Sequence, residues 1–486
     1  MKANHTSLNY SKLYSLLFFI AIFLFFYVFF YVIHPLIPID SDEWQFYSQN
    51  RLAIPIPGFW NPTRVLPEIL SPMSGYIAGY VVYPLTNNYY DSLIIVNALI
   101  VSALVTVYAY SFSSLMRIRF KHTQGETAML TALFLLFHYM VFRVNSTDNQ
   151  HMFYCFDVCY YYFYLIPNLI GASLVMNLMC IDWLSCNNYT PLKRGLLLLT
   201  IYLVLCSNLF CSVLFVAYVF SNLAVTWIQN RNLSLKTFSF QNRWSILVLG
   251  FWVIINLIES TGGRADGLYE TAGFSLLPDV FRTFIHCGIN KLFAIAFLCI
   301  LLADIIQTIR NKKICTTSSI QMLALGCVFC YFVLLCTQAG KKYMGSSASN
   351  FAIFFYVLLY MSIKISQFVA KHKRTMVIMP LLFLILFSYT NTTPSTFRDL
   401  AYPHFENGKY DLQTFRKINE SNIQRIIDAA NQHEDSVTLY VPRFDKRSKI
   451  NFPYATWSYS YLINILHKHG IISREPKGKM VIDDSL

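Results

Sequence analysis

Three carboxylates, Asp40, Asp42 and Glu43, fall within four positions in the stretch IDSDEW. Carboxylates packed that closely repel, which raises the pKa of one of them. A carboxylate tuned in this way serves as a general base near neutral pH. Asp40 and Glu43 are three apart and would share a helix face. The competing use is a helix N-cap, but a cap needs only one aspartate. A second set of residues is cationic. Arg264 stands in GGRAD, and Lys341 and Lys342 are adjacent in AGKKY. Arginine suits bidentate phosphate binding and lysine supplies a point charge. Arg64 and Glu68, four apart, would meet on one helix face, as a plain ion pair or as part of a site. His151, with Arg143, Asp148 and Asp157, lies among the aromatics of VNSTDNQHMFYCFDVCYYY. Those rings suit either a sugar face or an interfacial belt.

The elements that must position these groups are set by the solvent. Of 486 residues 55% are hydrophobic and 13% charged, and the mean hydropathy is +0.45. A soluble chain carries about 25% charged residues. Residues 13–33 form 21 positions without a charge, enough to span hydrocarbon at about 20 residues per crossing. The run is too long for the apolar core of a cleaved signal peptide. Further runs follow at 92–115, 127–143, 161–184, 195–207, 209–228, 244–258, 287–307, 318–338, 349–368 and 375–390. The predicted fold is a polytopic α-helical membrane protein of about 11 transmembrane helices. The run from 195 to 229 is read as two spans meeting at Ser207 and Asn208. Only then does every loop on the N-terminal side carry Lys or Arg, as the positive-inside rule requires. The N-terminus is then cytoplasmic. The acidic stretch opens an outer loop, 34–90, that also holds interfacial helices. His138 is the clearest ionisable group in mid-span.

The same topology accounts for the net charge of +13, so a nucleic-acid partner is not expected. After residue 390 the composition turns polar, with 13 basic and 11 acidic residues. SNIQRIIDAANQ reads as helix and SVTLYVP as strand. The prediction is a transmembrane domain over 1–390 and a small extracytoplasmic α/β domain over 391–486. The twelve cysteines fall mostly in apolar runs, as small hydrophobes.

This arrangement resembles the GT-C superfamily of membrane glycosyltransferases, which take a sugar from a polyprenyl-phosphate donor. IDSDEW matches that family's acidic motif by its place after the first helix. GGRAD is similar to a Gly-Arg loop in relatives of bacterial serotype-converting glucosyltransferases. The resemblance implies Asp42 or Glu43 as general base, with Asp40 as an orienting or metal-binding neighbour. It implies Arg264 and Lys341 as contacts to the donor phosphate; Lys342, Arg64, Glu68 and His151 are further candidates for binding the donor phosphate or substrate. It further implies a surface glycan, lipid or protein as acceptor, and multi-pass residence among the lipids of the plasma membrane. The sequence shows no second acidic motif and no WWDYG-like segment. That sets it apart from the metal-dependent oligosaccharyltransferases and argues against a required divalent metal, so no metal ligands are assigned. Rival readings are an O-antigen-type polymerase or ligase, a polysaccharide or lipid flippase, and an assembly protein working through its tail.

Overall fold

The computed structural model describes residues 3–39, 41–48, 53, 60–142, 152–153, 155, 157–181, 189–261, 273–311, 315–372, 412–443, 451, 454 and 458–484. In hydrocarbon, a lone segment satisfies its backbone polar groups only as a helix, and the apolar runs fold accordingly. Helix α1 (Ala3–Val28) continues through a π-helical turn (Phe29–Ile33). Then come α2 (Ser41–Ser48), α3 (Val65–Ile77), α4 (Tyr83–Thr86), α5 (Tyr89–Ile118), α6 (Gln124–Met140), α7 (Val158–Tyr160) and α8 (Ile166–Cys180). They are followed by α9 (Pro191–Leu205), α10 (Leu209–Gln229), α11 (Leu235–Gln241), α12 (Arg243–Ser260) and α13 (Leu277–Ile285). The apolar part ends with α14 (Lys291–Asn311), α15 (Thr316–Ala339) and α16 (Ser347–Lys371). Among the described residues, eight helical stretches are long and apolar enough to cross a membrane. The chain is a helical membrane protein. Helix α16 is its buried axis, whereas α14 turns Ile295, Leu298, Leu302 and Ile306 outward as one apolar stripe. That stripe suits lipid contact.

The long run after residue 195 breaks where the basic loops demanded. Cys206 leaves helical geometry at φ −87° and ψ 41°, and Asn208 Oδ1 accepts the Phe210 N–H at 3.1 Å to start α10. Arg119, Cys180 and Gln229, at or just past the ends of α5, α8 and α10, line one cavity with Trp244 and Thr316 at the starts of α12 and α15. These termini form one end of the bundle. It carries Arg117, Arg119, Arg231 and Arg243, and is called the basic end below. The starts of α5, α7 and α10 lie at the opposite end.

Mid-span charge is less scarce than the sequence suggested. His138 is a packed histidine, with Nε2 against Tyr108 OH at 3.0 Å and Nδ1 against the Phe134 carbonyl at 2.7 Å. In addition, Lys364 Nζ of α16 donates to Asp304 Oδ1 of α14 at 2.6 Å, and Tyr360 OH donates to Oδ2 at 2.7 Å. Both charges sit seven residues inside their helix ends, about 10 Å at 1.5 Å per residue. Sixty positions separate them in sequence, so each looks isolated until the helices pack.

The C-terminal segment contributes α17 (Leu412–Asn431), β1 (Ser436–Val441), α18 (Ser458–Lys468) and β2 (Lys477–Ile482), with β1 and β2 paired in parallel from Ser436↔Lys477 to Val441↔Ile482. It docks on α2, α3 and the start of α5. Arg416 Nη2 donates to Asp91 Oδ1 at 2.8 Å, Lys468 Nζ donates to the Ser48 carbonyl at 2.7 Å, and Asn419 Nδ2 donates to Tyr90 OH at 3.2 Å. His469 enters deepest. It is hydrogen-bonded through Nδ1 to Tyr89 OH and lies across Gly75 and Gly79. Burial pulls its pKa down to about 4, so the ring docks neutral. A Cβ on Gly79 would lie 2.6 Å from His469 Cβ and 2.7 Å from its carbonyl oxygen. No rotamer relieves a clash with backbone. Gly79→Val should therefore lift α18 from α3. In hydrogen–deuterium exchange of the detergent-solubilised protein, α18 amides should exchange at least tenfold faster while α10 and α16 stay protected. Unchanged protection of α18 would refute the close approach.

Candidate functional site

Helix α2 is held from three sides. Trp44 packs on Tyr90 with ring centres 6.2 Å apart, and Phe46 packs on Phe163 at 4.7 Å. Buried Asn97 of α5 supplies the third hold. Its Nδ2 donates to Tyr47 OH at 2.8 Å and to the Leu36 carbonyl at 3.3 Å, and its Oδ1 accepts from Tyr162 OH at 2.7 Å. Within this frame the acidic residues part company. Asp42 is exposed, whereas Glu43 is 2% exposed. Glu43 Oε2 accepts the Ile39 N–H and its Oε1 accepts the Val158 N–H. One carboxylate thus satisfies an amide of the loop before α2 and the first amide of α7. Both donors are buried backbone groups that would otherwise lack a partner.

Asp157 completes the cluster. Its Oδ1 accepts the Cys159 N–H at 2.7 Å, capping α7, and its carboxyl is hydrogen-bonded to Glu43. Ligand atoms of Glu43, Asp157 and Cys159 lie within 4.8 Å of one another. Burial raises the Asp157 pKa, the charge of Asp42 adds to the rise, and the bonds from Glu43 and Cys159 oppose it. A hydrogen bond between two carboxyl groups needs a proton. The pair shares that proton. The crevice lined by Glu43, Phe46, Ser71 and Cys159 is too narrow for a water molecule. The donor set also fits a hard divalent cation poorly: both Glu43 oxygens are engaged and the third member is a thiol, a soft ligand. The cluster works as a clasp between two loops. A carboxyl with a raised folded-state pKa favours the fold below its ordinary value of 3.8, and that advantage is lost as pH rises through the raised value. Thermal unfolding of the solubilised protein should accordingly shift to lower temperature as pH increases above about 4. Asp157→Asn, which keeps the cap, should flatten that slope. An unaltered slope in this variant would contradict the assignment.

Arg64 and Glu68 do pair, Nη1 to Oε1 at 3.0 Å, at the start of α3. Beside them Thr63 Oγ1 donates to Glu259 Oε2 of α12 at 3.0 Å, and the Leu66 N–H donates to the Cys206 carbonyl. The interfacial segment is thereby pinned to the mouths of α9, α10 and α12. Two donors here, both buried, have no partner among the described residues: Arg64 Nε and Trp60 Nε1. By type alone, Trp60 in an outer loop reads as an indole at headgroup level. Its orphan N–H marks a polar ligand position. Lys341 Nζ donates to Asp279 Oδ2 of α13 at 2.8 Å, which lowers the Asp279 pKa. Lys342 lies over the ring of Tyr343 at 5.4 Å. Both lysines are exposed at the same end as α2, because Tyr343 stacks on Phe210 at the start of α10. Asp40, His151 and Arg264 fall outside the described residues.

No protein-family profile, curated protein or solved structure matches this chain. The site is therefore read from its own geometry. That geometry has an exposed carboxylate, a buried clasp holding it in place, and two N–H donors just ahead of α3 that have no partner among the described residues. Ser71, which borders the clasp, is seven residues from Arg64, about 10 Å along the helix. Asp157 was the residue passed over as a site member. Its signal was present in FDVCYYY, an aspartate just ahead of an apolar run, the usual mark of a helix start.

Proposed function

We propose that the protein is an integral-membrane glycosyltransferase that moves a sugar from a polyprenyl-phosphate donor to a surface glycan, lipid or protein acceptor. The observation that carries this reading is the presence, at one end of the bundle, of exposed Asp42 and of the buried donors Trp60 Nε1 and Arg64 Nε, which have no partner among the described residues. Asp42 takes the proton of the acceptor hydroxyl as that oxygen attacks the anomeric carbon. The phosphate leaves with the bonding pair, and N–H donors and cations stabilise its growing charge. Arg64 and Trp60 serve that role, joined by Lys341, Lys342 and Arg264. Attack opposite the leaving group gives inversion. The resemblance to GT-C enzymes supports the same assignment.

The acidic end then faces outward and the basic end the cytoplasm. Ten of the eleven predicted spans have counterparts among the described helices, with α6 and α9 the shortest. The eleventh, 375–390, lies outside them. Helix α16 finishes at the basic end and α17 packs against the start of α5, which supports one more crossing and an extracytoplasmic C-terminal domain. The plasma membrane is the proposed location. The test is deletion of the gene followed by mass spectrometry of surface glycans. Loss of one hexose substituent is expected, and an unchanged profile overturns the proposal. A flippase is the second reading, favoured by the Asp304–Lys364 pair at membrane depth. In that case Asp304→Asn would abolish function and Asp42→Asn would not.

A further inference from the structure

The cavity at the basic end has no part in the chemistry proposed above. It occupies about 430 Å³ between α5, α8, α10, α12 and α15. Its walls are unusual for a space that opens among lipid-facing helices. Asn222, Thr226, Gln229, Asn242 and Thr317 bring amides and hydroxyls, Arg119 brings a cation, and no carboxylate is among the described lining residues. Polar side chains at membrane depth are costly unless something satisfies them. Next to the lining residue Ile320, Gln321 is 2% exposed and neither its Oε1 nor its Nε2 has a partner among the described residues. The neighbourhood therefore has hydrogen-bonding capacity that the protein leaves unused. Trp244 on the rim sits where an indole marks the headgroup layer.

A neutral hydrocarbon tail gains nothing from such walls, and a cation would meet Arg119 with no acid among the described lining residues to balance it. We infer that this cavity is a binding site for the phosphate headgroup of an anionic lipid, with Arg119 as the charge contact and the amides of Asn222 and Asn242 as donors. The acyl chains would run along the apolar outer faces of α12 and α10, where Leu247 and Phe220 are exposed.

The full chain would be purified in detergent and exposed to phosphatidylglycerol, to phosphatidylcholine and to inorganic phosphate, with adducts counted by native mass spectrometry. Phosphatidylglycerol should be retained in preference to phosphatidylcholine, and excess inorganic phosphate should not displace it. Arg119→Gln should lower retention about 5-fold, the ratio for one basic group beside an anionic lipid worth about 1 kcal/mol, whereas Arg119→Lys should keep most of it. Arg119 is exposed, so neither change threatens folding. Equal retention of the two lipids, or equal retention by Arg119→Gln and wild type, overturns the inference. Displacement by inorganic phosphate overturns the lipid assignment. Asp42→Asn should retain the lipid normally, so failure of this inference and failure of the proposed catalysis are separable.

Discussion

Asp42→Asn should reduce sugar transfer by about 10² to 10⁴-fold, the usual contribution of a positioned general base, with thermal stability essentially unchanged. The side chain is exposed at the start of α2, so removing its charge strands no buried partner. The substitution keeps size and hydrogen-bonding capacity and deletes only the ability to accept a proton as an anion. The measurement is transfer of radiolabelled hexose from a polyprenyl-phosphate donor in membranes carrying equal amounts of each variant. Full activity in Asp42→Asn would remove Asp42 from the mechanism and favour the flippase reading.

Glu43→Ala should do the reverse of a clean catalytic lesion. It leaves the Ile39 and Val158 amides without an acceptor in a buried setting. Each unsatisfied group costs about 1–3 kcal/mol, so a loss of roughly 2–6 kcal/mol follows. A marginally stable protein does not absorb that easily. The variant should accumulate poorly, and what survives should melt well below wild type. Glu43→Gln keeps one carbonyl oxygen as acceptor and should fall between the two. Melting in detergent, followed by size-exclusion chromatography, gives the order. Equal melting of Glu43→Ala and wild type would rule out the clasp.

These two neighbours show what could be read in advance. The run 13–33 announced α1 without ambiguity, because hydrophobicity over 21 positions is a local property. The break at Ser207 and Asn208 was legible through charge, since lipid sidedness links distant loops by a simple rule. The roles of Asp42 and Glu43 were not. Which of them is buried depends on the Val158 amide, 115 positions away. The same limit hid Asp157 as a member of the cluster, and it hid the partnership of Asp304 with Lys364. Trp60 looked like an interfacial anchor by composition, and only packing shows its indole N–H enclosed and without a partner among the described residues. Arg64 and Glu68 were found because their spacing is helical and their contact is local.

The seat of His469 on Gly75 and Gly79 also has a consequence in time. Tyr89 and its partner His469 are 380 positions apart. A ribosome adding about 5–20 residues per second needs roughly 20–75 s to make that interval. Throughout that period α2 and α3 wait in the membrane without their cover, while every later helix is threaded past them. The acidic end is consequently among the first parts to be synthesised and the last to be finished. A nascent chain stalled short of residue 469 would hold a complete set of carboxylates while Gly75, Gly79 and Tyr89 stayed uncovered.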